Sequence, residues 1–201
     1  AVFVINDWIE KVPPFTKYYW RDSWNCYALS IRVINWIDII SANQDKENKY
    51  SLKIYNSIYF QVKFLINNLE LDIKGNHLIK NIRCIYRACS FFSEKKTNEW
   101  LEKISYYLLN ELDTQFLDDG MHFELSPSYH NLVAEDLLCI RRSFYCIDEE
   151  IKPNLRNKIR IKIDQVLKKI YKVTSRLTHP DGLPSLFSDG GLNSCKKPSL
   201  I

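Results

Sequence analysis

"GNHLIKNIRCIYRACSFF", residues 75–92, is the stretch from which the fold is read. Gly75 and Asn76 break the preceding segment. Asn76 is a candidate helix N-cap, because its short amide can accept a hydrogen bond from a first-turn N–H. Beyond it, Leu78, Ile79, Ile82, Ile85, Tyr86 and Cys89 recur every three to four residues. That spacing lines one face of a helix, whereas a half-buried strand would alternate.

Working outward, the same period recurs on both sides. Upstream, residues 24–42 carry Ala28, Ile31, Val33, Ile34, Ile37 and Ile40 at near-helical spacing. Residues 50–71 carry Leu52, Ile54, Tyr55, Ile58, Phe60, Val62 and Leu65 on a broad stripe. Downstream, residues 97–116 align Trp100, Leu101, Ile104, Leu108 and Leu112, with Thr97 at a possible cap. Residues 129–147 continue the pattern, and residues 152–177 form a basic amphipathic helix whose charged side reads first as a solvated face. Residues 1–23, with Pro13 and Pro14 among aromatics, read as an irregular entry. Residues 43–49 are a polar loop, 178–191 a turn-rich loop and 192–201 a polar tail. Five Gly and seven Pro in 201 residues are few for an all-β chain. The expectation is a single all-α domain over residues 1–201, with antiparallel helices in a bundle or a toroid. Periodicity leaves both open.

Composition excludes some functions. The 28 basic and 24 acidic side chains leave a net charge of +4, too mild to argue for nucleic acid. No apolar run approaches the ~20 residues that cross a bilayer, so no membrane partner is expected. The six Cys form no CxxC and have no zinc spacing with His, which predicts no metal and buried, apolar-behaving thiols. No cofactor motif is present. The chain opens on Ala, without a basic n-region, and is expected to be processed or a piece of something longer.

The chemistry concentrates in "DDGMHFELSPSYHNLVAEDLL", residues 118–138. The four His, at positions 77, 122, 130 and 179, all fall at loops or loop–helix junctions, where sites are commonly built. Tyr129 enters a helix from the Ser126-Pro127-Ser128 turn, which would hold a phenol in one direction for acid–base work. Asp118, Asp119 and Glu124 could instead make a glycosidase carboxylate pair. Asp118-Asp119-Gly120 is also ordinary turn chemistry. The residues alone leave these readings open.

The 118–138 stretch closely resembles a motif of the heparinase II/III-like polysaccharide lyases: an aspartate-glycine, a His-Phe-Glu and a Ser-Pro-x-Tyr-His in that order. The Gly75-Asn76-His77 helix start resembles the family's second marker. "WNCYALSIRVINWI" resembles its earlier helix with a Trp-x-x-Tyr and an Arg, although Asn25-Cys26 stands where members often carry His-Pro. "HPDGLPSLFSDGG", residues 179–191, is similar to a following segment. Together the blocks cover most of residues 24–191.

The resemblance implies an incomplete (α/α) toroid and β-elimination on a uronic-acid-containing polysaccharide, in the periplasm or outside the cell. It implies that Asn76 neutralises the uronate carboxylate and that Tyr129 is the acid/base. His77 and His130 stand beside them as catalytic candidates. His122 and Glu124 support the site, and Trp24, Tyr27 and Arg32 bind substrate. It also implies a C-terminal β-sandwich domain carrying a further histidine, which this chain does not include. Two readings compete with the lyase. One is a toroid glycoside hydrolase using Glu124 with Asp118 or Asp119; the other is a non-catalytic acidic-glycan-binding remnant.

Overall fold

The structure is a computed structural model that describes residues 2–42, 51–92, 95–147, 152–191 and 195–201. Seven α-helices follow one another: α1 (Val2–Lys11), α2 (Cys26–Ala42), α3 (Ser51–Asn67), α4 (Gly75–Phe92), α5 (Lys95–Thr114), α6 (Pro127–Ser143) and α7 (Pro153–Leu177), with a short 3-10 turn at Pro198–Leu200. Among the described residues the only β pairing is two isolated bridges, Phe116 with His122 and Thr178 with Pro184.

Side-chain pairs give the direction of each helix. Tyr27 at the start of α2 lies against His77 at the start of α4, with ring centroids 4.4 Å apart. At the far ends, Arg87 of α4 donates to Asp38 of α2 at 2.9 Å. The two helices are therefore parallel. Tyr86 of α4 meets Phe144, just past α6, and Lys80 and Arg83 meet Asp136 of α6, so α6 runs with them. The others run back. Tyr55 in the first turns of α3 stacks on Phe91 at the end of α4. Asp164 of α7 pairs with Arg141 late in α6, whereas Thr174 reaches Asn131 early in α6. The result is an inner layer of α2, α4 and α6 with an outer antiparallel layer, the repeating unit of an (α/α) toroid.

The apolar stripes explain the layering. In α4 the six residues Leu78, Ile79, Ile82, Ile85, Tyr86 and Cys89 are each at most 2% exposed, because this helix is covered on nearly every side. In α7 only Ile159, Ile163, Val166, Leu167, Ile170, Val173 and Thr174 are buried, one stripe of an outer helix, and its lysines face outward. Burial of each such Ile or Leu contributes about 1.5–3 kcal/mol before chain entropy is set against it.

Several sequence expectations change. The entry segment contains a ten-residue helix, α1. Trp8 on this helix packs edge-on against Trp36, and that aromatic contact supplies the order that Pro13-Pro14 hid. Asn76 lies inside α4 rather than at its cap, and Thr97 lies inside α5. Ala28 and Ile31 face outward in α2, where Leu29 and Trp36 take the core positions. Leu52 and Phe60 of α3 are 69% and 41% exposed. Of the cysteines, Cys84 and Cys89 are buried and Cys146 is exposed, while Cys26, Cys139 and Cys195 are intermediate. The polar loop expected at 43–49 lies outside the described residues, as does part of the tail. Among the described residues no helix is long and apolar enough to cross a membrane, and no group of three His, Cys, Asp or Glu is placed to hold a metal.

Candidate active site

Because α2, α4 and α6 are parallel, their N-termini share one rim. Three helix dipoles point their positive ends there, an environment that favours an anion. The rim carries Tyr27, Asn76, His77 and Tyr129.

Asn25 caps α2 by accepting from the backbone N–H groups of Tyr27 at 3.0 Å and Ala28 at 3.3 Å. This sets Tyr27 in the first turn. Burial, followed by negative charge from neighbours such as Asp136, Glu70 and Glu124, pushes the Tyr27 phenol up to about 12.

At the start of α4, Gly75 has φ +54°, and a Cβ there would sit 2.7 Å from Glu124 Oε1. The missing side chain lets the Glu124 carboxylate close on the helix start. Asn76 Nδ2 donates to Glu124 Oε1 and Oε2 at 3.2 and 3.1 Å, and its backbone N–H lies 3.3 Å from Oε2. The next residue, His77, places Nδ1 3.0 Å from Glu70 Oε1.

Ser126 caps α6 by accepting from Tyr129 N–H at 3.1 Å. Its hydroxyl also donates to the backbone oxygen of Asp189. The 179–191 loop thus docks on the start of α6, aided by Gly190 (φ +112°), where a Cβ would lie 2.5 Å from Ser128 Cβ. Docking brings the Asp189 carboxylate to the Tyr129 hydroxyl, which donates to Oδ2 at 3.0 Å. That hydrogen bond raises the phenol above its ordinary pKa. Tyr129 rests as the protonated acid.

Beneath the rim, two buried histidines hold the loop. His122 N–H donates to His130 Nδ1 at 3.2 Å, and His130 Nε2 lies 3.3 Å from the Ile170 carbonyl. One nitrogen accepts and the other must donate, so His130 is neutral with its proton on Nε2. His122 Nε2 pairs with Gln115 Oε1 at 2.9 Å, and Gln115 Nε2 reaches the Gly75 carbonyl at 3.2 Å. His122 Nδ1 is 3.3 Å from Glu124 Oε2 but has no hydrogen bond of acceptable geometry. Burial, then the neighbouring His130, lowers the His122 pKa to about 3. His130 is lowered too, mainly by burial.

The structure thus gathers Tyr129, Asn76, His77, Tyr27 and Glu124 at one rim. His122 and His130, both 0% exposed, sit below it. Trp24 and Arg32 make other contacts. Trp24 is 3% exposed and packs on Phe60 and Phe64 in the core. Arg32 stacks over Trp8 at 4.1 Å and donates to Gln61 at 2.8 Å. Asp119 is spent closing the 118–121 turn, where Oδ1 accepts Met121 N–H at 2.8 Å, and Asp118 is exposed beside it. His179, 61% exposed, pairs with Asp181. Sequence reasoning missed Glu70, Asn81, Asp136 and Asp189. Asn81, Asp136 and Asp189 lay inside blocks already noticed, but as single polar residues whose partners only the fold supplies; Glu70 lies at the edge of a helical pattern.

A family model described as "Heparinase II/III N-terminus" matches residues 1–198. A heparin-sulfate lyase of Bacteroides stercoris is 25% identical over 173 residues, 80% of this chain and 25% of the relative. A crystal structure of heparinase III superposes with TM-score 0.71 at 21% identity, covering 90% of this chain and 27% of that one. The heparan sulfate lyase HepC from Pedobacter heparinus superposes with TM-score 0.66 at 21% identity, covering 91% of this chain and 28% of that one. These likenesses show the incomplete helical toroid, and the chain spans about a quarter of the length of its curated relative.

Proposed function

The chain belongs to the heparinase II/III family, and from that premise we propose that it is the toroid part of a polysaccharide lyase cleaving a uronic-acid-containing glycan by β-elimination. The observation that carries the proposal is the pairing of an amide at the start of α4 with a phenol held protonated at the start of α6. The reaction needs both. The proton alpha to a uronate carboxylate is weakly acidic until that carboxylate is neutralised, and the leaving 4-oxygen must be protonated.

A uronate at the rim would meet the positive ends of three helices. A single N–H of Asn76 aimed between the Glu124 oxygens satisfies both contacts, leaving the second for the substrate carboxylate. An amide suits this role because it donates without titrating. As the alpha proton leaves to a base, its electron pair forms the C4–C5 double bond and the C4–O bond breaks. Tyr129 gives its proton to the departing oxygen. Since Tyr129 rests protonated, a second group takes the alpha proton. His77 stands at the same rim, and the resemblance implies a further histidine from a β-sandwich domain. Glu124, His122 and His130 keep Asn76 and the loop in place.

The hydrolase reading is the weaker one. Asp119 is committed to its turn and Glu124 to Asn76, so neither carboxylate stands free for the acid–base pair that mechanism requires.

The test is product chemistry, on a chain extended to the length of its relatives and incubated with heparan-type and other uronate glycans. Ultraviolet absorbance from a conjugated unsaturated uronate is expected, and Tyr129→Phe should lower its rate ~100- to 10,000-fold, the usual contribution of an acid–base group. Release of saturated ends, or a Tyr129→Phe rate equal to the parent, overturns the assignment.

A further inference from the structure

We propose that Glu70 is a positioning residue that fixes the tautomer of His77, so that Nε2 is the ring atom presented to the sugar. This rests on the lyase reading for its purpose, and on hydrogen bonding alone for its content.

The network leaves one solution. Glu70 is 7% exposed within the α3–α4 connection. Its backbone N–H donates to Asn81 Oδ1 at 3.1 Å, which settles which end of the Asn81 amide is oxygen. Asn81 Nδ2 must then face outward from that contact as a donor. It reaches Glu70 Oε2 at 2.9 Å and Ser30 Oγ at 3.2 Å. Ser30 in turn donates to the Cys26 carbonyl at 2.8 Å. With Oε2 taken, Glu70 turns Oε1 to His77 Nδ1 at 3.0 Å. A carboxylate oxygen only accepts, so Nδ1 carries the proton. Nε2 is left as a bare acceptor in the neutral ring and as the sole unmatched donor in the imidazolium.

The ring is also fixed in place. It lies on Tyr27 at 4.4 Å with an interplanar angle of 33°, and 34% of the His77 side chain is exposed. No described residue hydrogen-bonds Nε2. The buried chain Ser30–Asn81–Glu70 therefore runs from inside α2 and α4 to a histidine that opens at the rim. It sets both the direction and the proton placement of a rim histidine that combines a partner carboxylate with an open ring nitrogen.

The measurement is the ring 15N spectrum of the 201-residue chain, with His77 assigned by the signal lost in His77→Gln. In the neutral ring a pyrrole-type Nδ1 and a pyridine-type Nε2 are expected. Glu70→Gln should invert this. Asn81 still demands an oxygen from residue 70, so the new NH2 faces Nδ1 and drives the proton to Nε2. Glu70→Ala should release the ring to a mixture. A pyridine-type Nδ1 in the parent chain overturns the proposal without any variant, and so does a Glu70→Gln spectrum that keeps the parent tautomer. Because the readout is spectroscopic, a chain with the expected tautomer and no lyase activity would refute the proposed reaction while leaving the role of Glu70 standing.

Discussion

At Tyr129 a single hydrogen bond decides which half of acid–base chemistry the phenol would perform in the proposed lyase. The Asp189 carboxylate accepts its proton and, being negative, opposes ionisation. A raised pKa means the acid form persists to higher pH. Removing the charge with Asp189→Asn should therefore move the alkaline limb of kcat/KM to lower pH; an unmoved or upward-shifted limb would deny Asp189 this influence. The sequence exposed Tyr129 because Ser126-Pro127-Ser128 is a local helix-start signal, legible without tertiary information. It could not expose Glu70 or Asp189, whose significance comes from residues 7 and 60 positions away. The packing of Trp24 on Phe60 and Phe64 is likewise a tertiary fact that its own block does not carry.

At the scale of the element, α4 and α6 are joined by a buried charge cluster. Lys80 and Arg83 both donate to Asp136 Oδ1, at 2.7 and 2.6 Å, and Asp136 is 0% exposed. Its Oδ2 has no hydrogen-bond partner among the described residues. Asp136→Ala would strand the buried Lys80 ammonium and leave half-buried Arg83 only its contact with Glu135 among the described residues, and should destabilise the fold by about 3–5 kcal/mol, read as a lower urea midpoint. A change below about 1 kcal/mol would mean that the cations relax to water instead. Helix existence was legible in most of the chain because outer helices such as α7 keep a clean stripe. The facing of α2 was not. An inner helix contacts neighbours on several sides, so Ala28 and Ile31 matched the period while Leu29 and Trp36 took the core.

The whole molecule carries a built-in acid sensitivity. His122 keeps its ring neutral down to about 3, whereas the same ring in the unfolded chain takes a proton near its ordinary value of about 6.5. The folded pKa is depressed. The stability it contributes is present above about 6.5 and is lost as pH falls from there toward about 3. His130 acts in the same direction. The unfolding free energy should therefore drop between about pH 7 and pH 4, and His122→Asn should flatten part of that slope. Parallel slopes for the two proteins would deny His122 its share. The parallel inner helices have a consequence for how such a molecule can vary. Among the segments that shape the rim, residues 68–74 and 115–126 are returns from an outer helix to an inner one, and residues 178–191 leave outer α7 and dock on the start of α6. The C-terminal ends of α2, α4 and α6 lie at the opposite end. Sequence change in the rim connections can thus remodel the rim without disturbing that far end.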